Sequence, residues 1–128
     1  MTRAGIPERV LNFIESAIDT VPELEALLLL REHDSRWWSD EDVAARTYVS
    51  RKEASRILET LRRRGLIVLE ADPAKYRYAP GNPDTTRLMA EVASAYQHHL
   101  MPIANLIHQK SSASVREFAR AFDLKKDK

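Results

Sequence analysis

Three consecutive segments decide the fold of this chain: SDEDVAART at residues 39–47, YVSRKEASRILETLRRRGLIVLE at residues 48–70 and ADPAKYRY at residues 71–78. The first segment begins with a serine that can cap a helix, and an aspartate follows three residues later, close to the capping-box pattern. The second contains another such serine, a helical repeat of apolar residues and a glycine. The third completes a pair of short β-rich runs around a proline-containing turn, which is typical of a hairpin. The segments therefore predict a short helix, a turn, a second helix and a hairpin.

The second of these helices has the clearest predicted boundaries. We expect Ser50 to be its N-cap and Glu53 to complete a full capping box, in which each side chain accepts a hydrogen bond from the other residue's backbone. We expect Gly65 to end the helix, because glycine adopts the left-handed conformation without a Cβ penalty. One face is apolar at helical spacing and is formed by Ala54, Ile57, Leu58 and Leu61.

This order of elements predicts a winged helix-turn-helix, a fold whose second helix commonly enters the DNA major groove. The predicted fold class is mainly α with a small β-hairpin wing. At 128 residues the chain has the length of one domain, residues 1–128. We expect the winged helix-turn-helix core to occupy residues 20–80, with flanking helices at residues 7–19 and 83–122.

Prolines and capping residues mark the remaining helices of the chain. Pro7 and Pro22 suit the first turn of a helix, where a missing N–H costs nothing. Asn82 is expected to cap a long helix that Pro102 should kink or break near Met101. A capping box is expected before a last helix. The apolar residues of the predicted helices are Val10, Phe13, Ile14, Ala17 and Ile18 in the first, Leu24, Leu27 and Leu28 in the second, and Leu88, Met89, Val92, Ala93, Tyr96 and Leu100 in the long helix. Arg36, Trp37 and Trp38 could form a short strand. The capping box before the last helix consists of Ser114 and Glu117.

Composition excludes several classes of protein. Hydrophobic residues make up 44% of the chain and charged residues 30%, as in ordinary soluble domains. Without cysteine there is no disulfide, thiolate metal site or cysteine nucleophile. The apolar run at residues 27–30 is far shorter than the ~20 residues of a membrane span. The N-terminal sequence MTRAGIPERV has no signal-peptide core, so we expect a cytoplasmic protein that does not contact membranes.

No pattern of catalytic or cofactor-binding residues occurs in the sequence. There is no nucleophile–base pair, glycine-rich phosphate loop or pair of catalytic carboxylates. The four histidines, His33, His98, His99 and His108, do not follow a metal-ligand pattern. We therefore expect no enzyme activity, no cofactor and no metal site.

Charge is strongly polarised along the chain although the net charge is only +1. Residues 51–64 carry six of the 20 Lys and Arg residues and two acids, a net +4. Residues 15–42 carry nine acids and two arginines, a net −7. Such asymmetry can direct one face of a protein towards a polyanion. Two solvated amphipathic helices would give the same pattern.

The segment DVAARTYVSRKEASRILETLRRRGLIVL, residues 42–69, resembles the helix, turn, Ser-capped recognition helix and glycine of the MarR family of bacterial regulators. The wider resemblance runs from about residue 8 to residue 110 and rests on the order of helices and hairpin. It implies a homodimer built from the N- and C-terminal helices, with recognition helices in successive major grooves of double-stranded DNA. Families of this kind often sense a small molecule, so an effector of unknown identity is also implied.

The resemblance supplies candidate DNA-binding residues at matching positions. Arginine suits bidentate contact with guanine, and serine and lysine suit phosphate. The candidates in the recognition helix are Ser50, Arg51, Lys52, Ser55, Arg56 and Arg63, and those in the wing are Lys75 and Arg77. We expect Arg62, Arg63 and Arg64, at the far end of the helix, to meet phosphate, the helix dipole or a carboxylate rather than a base.

The wing turn is short for the family, and Asp72 and Arg77 match its pattern only loosely, so we do not expect the wing to insert into the minor groove. Two other features favour an alternative function: the net charge of only +1 and the acids that begin the third helix. Asp40, Glu41 and Asp42 begin the helix that faces the phosphate backbone in the family, and their charge would repel DNA. The alternative is a winged-helix module that binds another protein without specific DNA binding.

Overall fold

The computed structural model describes residues 5–110. The helices and strands are α1 (Glu8–Ala17), α2 (Val21–Glu32), α3 (Asp40–Thr47), α4 (Arg51–Arg63), β1 (Ile67–Glu70), β2 (Lys75–Tyr78) and α5 (Pro83–His98), followed by helical residues 100–110, here α6. This is the predicted order, mainly helical with one hairpin. The capping box expected at Ser114 and Glu117 lies outside the described residues. None of the described helices has the length and apolar character needed to cross a bilayer.

The chain divides into two compact units. One is Pro22–Ser94, and the other combines Met1–Val21 with Ala95–Lys128, of which residues 5–21 and 95–110 are described. The first unit contains the complete helix-turn-helix and wing. The prediction that residues 1–128 act as a single domain stays a prediction.

The apolar face of α4 is buried in the first unit, as its spacing predicts. Ala54, Leu58 and Leu61 have no exposed surface, and Ile57 is 3% exposed. Further buried side chains of this unit are Leu24, Leu27, Leu30, Trp38, Val43, Leu66, Ile67, Tyr76, Met89 and Val92. This burial determines which side of α4 is turned to solvent.

The N-terminal caps of α3 and α4 are the reverse of the prediction: α3 has the full capping box, and α4 has only half of one. Ser39 and Asp42 form a full capping box: the Ser39 hydroxyl accepts from the Asp42 N–H at 3.1 Å, and Asp42 Oδ2 accepts from the Ser39 N–H at 3.4 Å. Ser50 accepts from the Glu53 N–H at 3.0 Å, which is half of the box expected there. The Glu53 carboxylate instead accepts a hydrogen bond from Arg56, because an arginine one turn away competes for it.

The C-terminal end of α4 is closed by Gly65 as predicted. Gly65 has φ +77°, and its N–H donates to the Arg62 carbonyl at 3.0 Å while the Leu66 N–H donates to the Leu61 carbonyl at 3.2 Å. These two bonds define a Schellman motif. A Cβ at Gly65 would have nothing within 4 Å, so the backbone conformation, not a lack of space, requires glycine.

The hairpin has the predicted strands, paired antiparallel from Ile67 opposite Tyr78 to Glu70 opposite Lys75. Trp38 extends this small sheet through an isolated bridge to Tyr76, in which each N–H donates to the other's carbonyl at 2.8 Å. The short strand expected around residues 36–38 is thus reduced to one residue. Trp38 is fully buried, in agreement with its having a packing role.

In the second unit, Lys110 of α6 binds backbone carbonyls at the C-terminal end of α1. Its Nζ donates to the carbonyls of Ile14 at 3.1 Å and Ile18 at 2.6 Å. A cation at a helix C-terminus satisfies carbonyls that have no partner within the helix. The helix break expected near Met101 is found at His99, three residues before Pro102, and Leu100 is 47% exposed rather than part of an apolar face.

An ion pair within the first unit fixes the far end of α4. Arg64, the C-cap of that helix, donates to the carboxylate of Glu23 on α2. Glu23 is only 6% exposed and is the one charged residue classed as buried among residues 5–110. A buried carboxylate needs a cation or hydrogen-bond donors beside it, so this pair constrains where α4 ends relative to α2.

We expect Glu23→Gln to lower the free energy of unfolding by about 1–2 kcal/mol, because Arg64 keeps an acceptor but loses the opposite charge. Urea denaturation followed by circular dichroism measures this loss. Glu32→Gln is the matched control, since Glu32 lies on the same helix and is exposed; its effect should stay within about 0.5 kcal/mol. Equal losses in the two variants would contradict a specific role for the Glu23–Arg64 pair.

Candidate nucleic-acid interface

An open surface groove runs along the solvent-facing side of α4. Its volume is about 550 Å³, and its lining residues are Asp40, Arg51, Lys52, Ser55, Arg56, Glu59 and Arg63. Four of these side chains are cationic and two are anionic. Because the opposite face of α4 is buried, the helix can present these side chains to a partner without disturbing the core.

The structure brings together five of the eight predicted DNA-binding residues. Arg51, Lys52, Ser55, Arg56 and Arg63 line the groove. Ser50 lies at its end as the N-cap of α4, where its side-chain oxygen accepts a backbone hydrogen bond. Lys75 and Arg77 lie on β2 and are not among the lining residues. The helix candidates therefore lie along one groove, and the wing candidates lie outside its lining.

Two of the three arginines that line the groove are paired with carboxylates. Arg51 Nε donates to Asp40 Oδ1 at 3.1 Å, and Arg56 donates to Glu53. Both arginine side chains remain about 70% exposed, at 69% and 71%. Exposed pairs of this kind contribute about 0–1 kcal/mol each, so a phosphate can displace the carboxylate at little cost. Lys52 is exposed and has no carboxylate partner within residues 5–110.

The three consecutive arginines at the end of α4 have partners within the protein. Arg62 donates to Glu59, with Nε 3.0 Å from Oε2, and this hydrogen bond lowers the pKa of Glu59 and raises that of Arg62. Arg63 Nε lies 3.5 Å from the Glu59 carbonyl. With Arg64 bound to Glu23, these residues serve mainly carboxylates and the helix end, as the sequence indicates for this part of the helix.

The three acidic residues at the start of α3 would repel a bound anion less strongly than their sequence suggests. Asp42 is turned to the helix end: burial raises its pKa, but hydrogen bonds from Ser39 and Arg36 outweigh this and leave the pKa below its ordinary value. Asp40 is partly neutralised by Arg51. Glu41 is exposed, and it remains the acid of the three that would face a polyanion most directly.

The wing arginine rests on a tryptophan. The Arg77 guanidinium lies 4.7 Å from the centre of the Trp37 ring, within the range of a cation–π contact. This contact limits how far Arg77 can extend from the wing. Lys75 is exposed, and it lies opposite Glu70 in the strand register of the hairpin. Sequence reasoning did not connect Trp37 with Arg77, because the contact joins a loop to a strand about 40 residues later and no local pattern records it.

Two solved structures of similar fold match nearly the whole chain, whereas no protein-family model and no curated protein sequence matches it. A MarR family protein from Bacillus stearothermophilus is 19% identical with a TM-score of 0.52, and the match covers 94% of this chain and 81% of that one. RV1404 from Mycobacterium tuberculosis is 17% identical with a TM-score of 0.52, covering 93% of this chain and 78% of that one. These likenesses concern the fold. The chain has a MarR-like winged helix-turn-helix fold, and the predicted fold class is confirmed.

Proposed function

We propose that this protein is a transcriptional regulator that binds double-stranded DNA through α4. The observation that carries the proposal is the groove, where four cations and Ser55 lie on the exposed side of a helix whose other side is buried. An α-helix presented in this way fits the major groove. The MarR-like fold supports the proposal, since it is the fold of a family of bacterial regulators.

Binding would exchange protein carboxylates for DNA groups. Arg51 and Arg56 lie in the first half of α4, and each exposed guanidinium can leave its half-buried carboxylate for a phosphate or for the O6 and N7 atoms of guanine. Lys52 and Ser55 are suited to phosphate contacts that set the register of the helix. Arg63, near the other end, is suited to phosphate. The wing residues Lys75 and Arg77 would add contacts outside the groove, with Arg77 limited by Trp37.

We further propose that two copies act together. The support is the MarR-like fold, for which the sequence resemblance implies a homodimer through the N- and C-terminal helices. A twofold arrangement would place the two α4 helices in successive major grooves, so the preferred site would be a pseudo-palindrome with half-sites about one helical turn apart. An effector ligand and a cytoplasmic location stay predictions of the sequence.

We expect a dimer in sedimentation equilibrium at micromolar concentration, because unpaired flanking helices would leave the proposed dimer surface exposed. A monomer at all concentrations up to the onset of precipitation would contradict the twofold arrangement. DNA binding through a single α4 would remain measurable in that case, so the two proposals can be judged separately.

A protein-interaction module is the second candidate function. The observation that favours it is that Arg51 and Arg56 already bind carboxylates of this chain, so an acidic segment of a partner could take the same places. The acidic segment of residues 15–42, with its net charge of −7, is a second feature that a basic partner could recognise.

Salt dependence separates the two candidates. We expect the logarithm of affinity for a random-sequence duplex to fall linearly with the logarithm of salt concentration, with a slope of about −0.9 for each phosphate neutralised. Fluorescence anisotropy with a labelled duplex at low and rising salt measures this slope. No binding at low salt, or a flat dependence, would overturn the DNA proposal in favour of a protein partner.

Removing the arginine of the Arg56–Glu53 pair and removing the carboxylate charge of the Arg51–Asp40 pair should change DNA affinity in opposite directions. Arg56→Ala should weaken binding by about 1–3 kcal/mol at a preferred site if Arg56 contacts a base, and equally on all sequences if it contacts phosphate. Asp40→Asn should strengthen non-specific binding by about fivefold, because it removes one repelling charge and frees Arg51. Anisotropy titrations of both variants measure the two effects.

Arg87→Ala is the matched control for Arg56→Ala. Arg87 pairs with Asp84 at the same i, i+3 spacing, and its side chain is 66% exposed, but it lies on α5 away from the groove lining. Its loss should leave affinity almost unchanged. A reduction as large as that of Arg56→Ala would mean that total charge, and not the groove, determines binding.

A further inference from the structure

Tyr48 occupies a strained and exposed position in the turn between α3 and α4. Its backbone is left-handed, with φ +59° and ψ +40°, a conformation that bulky residues rarely adopt. Its side chain is 94% exposed, the highest value among the large hydrophobic residues of the described chain. The ring of Tyr48 is therefore almost entirely in solvent.

The backbone around Tyr48 repeats the geometry at the end of α4. The Val49 N–H donates to the Ala44 carbonyl at 3.3 Å, five residues back, just as the Leu66 N–H donates to Leu61. The left-handed residue immediately before the donor is Tyr48 in one case and Gly65 in the other. Glycine or asparagine is usual at this position, so the closure of α3 does not need a tyrosine.

The Tyr48 N–H donates to the Ala44 carbonyl and so helps to close α3, but neither this hydrogen bond nor the exposed ring requires a tyrosine. The backbone carries the steric cost that Gly65 avoids, and a ring in solvent gains no burial energy in return. A residue with an unfavourable backbone conformation and an exposed side chain is a candidate for a functional role rather than a stabilising one. The left-handed backbone also sets the direction in which the Cα–Cβ bond leaves the turn.

The position of Tyr48 places it at the start of the DNA-binding helix that we propose. It lies two residues before Ser50, the N-cap of α4, and three before Arg51, which lines the groove. When the first half of α4 enters a major groove and α3 crosses the backbone, the turn between the two helices lies beside the sugar-phosphate strand at the groove edge. Tyrosine is one of the side chains that donate hydrogen bonds to phosphate oxygens there. Because it has only two rotatable side-chain bonds, ordering it on binding costs little conformational entropy.

We propose that Tyr48 is a DNA-contact residue whose hydroxyl donates a hydrogen bond to a backbone phosphate beside the groove that α4 enters. This inference rests on the proposed DNA-binding function. It assigns Tyr48 a role in positioning α4 on the duplex, since a phosphate contact fixes register without reading sequence. The contact is neutral on the protein side, which distinguishes it from those of the arginines.

Tyr48→Gly and Tyr48→Phe test the proposal against the wild-type chain. The probe is a labelled random-sequence duplex of about 30 base pairs, long enough for two half-sites one turn apart. Tyr48→Gly should keep or raise the melting temperature, since glycine relieves the left-handed strain, and should lower DNA affinity about five- to tenfold. Tyr48→Phe keeps the ring and should show a similar loss, because it removes only the hydroxyl donor.

The slope of affinity against salt separates a local contact from a general disturbance. A neutral hydroxyl releases no counterion, so both Tyr48 variants should keep the wild-type slope. A displaced α4 would lose cation contacts and flatten it. Wild-type affinity in Tyr48→Phe would overturn the hydroxyl contact, and wild-type affinity in both variants would overturn any role for Tyr48 in binding. Failure of the wild-type chain to bind the duplex would overturn the proposed function itself.

Discussion

Four apolar side chains on one face of α4 are buried, and the placement of every charged group on that helix follows from this burial. The three largest, Ile57, Leu58 and Leu61, each contribute about 1.5–3 kcal/mol by leaving water, more than any exposed ion pair on the other face. The helix therefore cannot rotate about its axis without losing several of these contacts. The Schellman motif at Gly65 and the pairing of Arg64 with Glu23 set where it ends.

The charged face that results contains both signs in close contact. Arg51, Arg56 and Arg62 each have a carboxylate within the same turn or at the start of α3. These pairs hold the long arginine side chains near the helix before any partner arrives, which reduces the rotamer entropy lost on binding. They also reduce the positive potential of the surface, so geometry and hydrogen bonding must supply more of the selectivity than charge alone.

Local patterns in the sequence predicted the parts of this structure that depend on neighbouring residues. Ser39, Gly65 and the strand limits of the hairpin follow from capping, backbone freedom and β-propensity, which act over a few positions. The half-formed box at Ser50 was not predicted, because Arg56 competes for Glu53. The Asp40–Arg51 and Trp37–Arg77 contacts and the exposure of Tyr48 depend on how turns bring distant atoms together, and no periodicity encodes that. The sequence therefore indicated the cations of the candidate groove and the acid Asp40, but not the pairing of its arginines with carboxylates.

The carboxylates beside the arginines have a consequence for a regulator working inside a genome. Arbitrary sequence offers a DNA-binding protein about 10⁶–10⁹ competing sites, and most copies of a strongly basic protein are held there. A face with Asp40 and Glu53 next to its arginines is attracted less by phosphate alone. For a DNA-binding protein of this design, a larger share of the copies in the cell would be unbound and available. Fewer molecules would then suffice to keep one operator occupied.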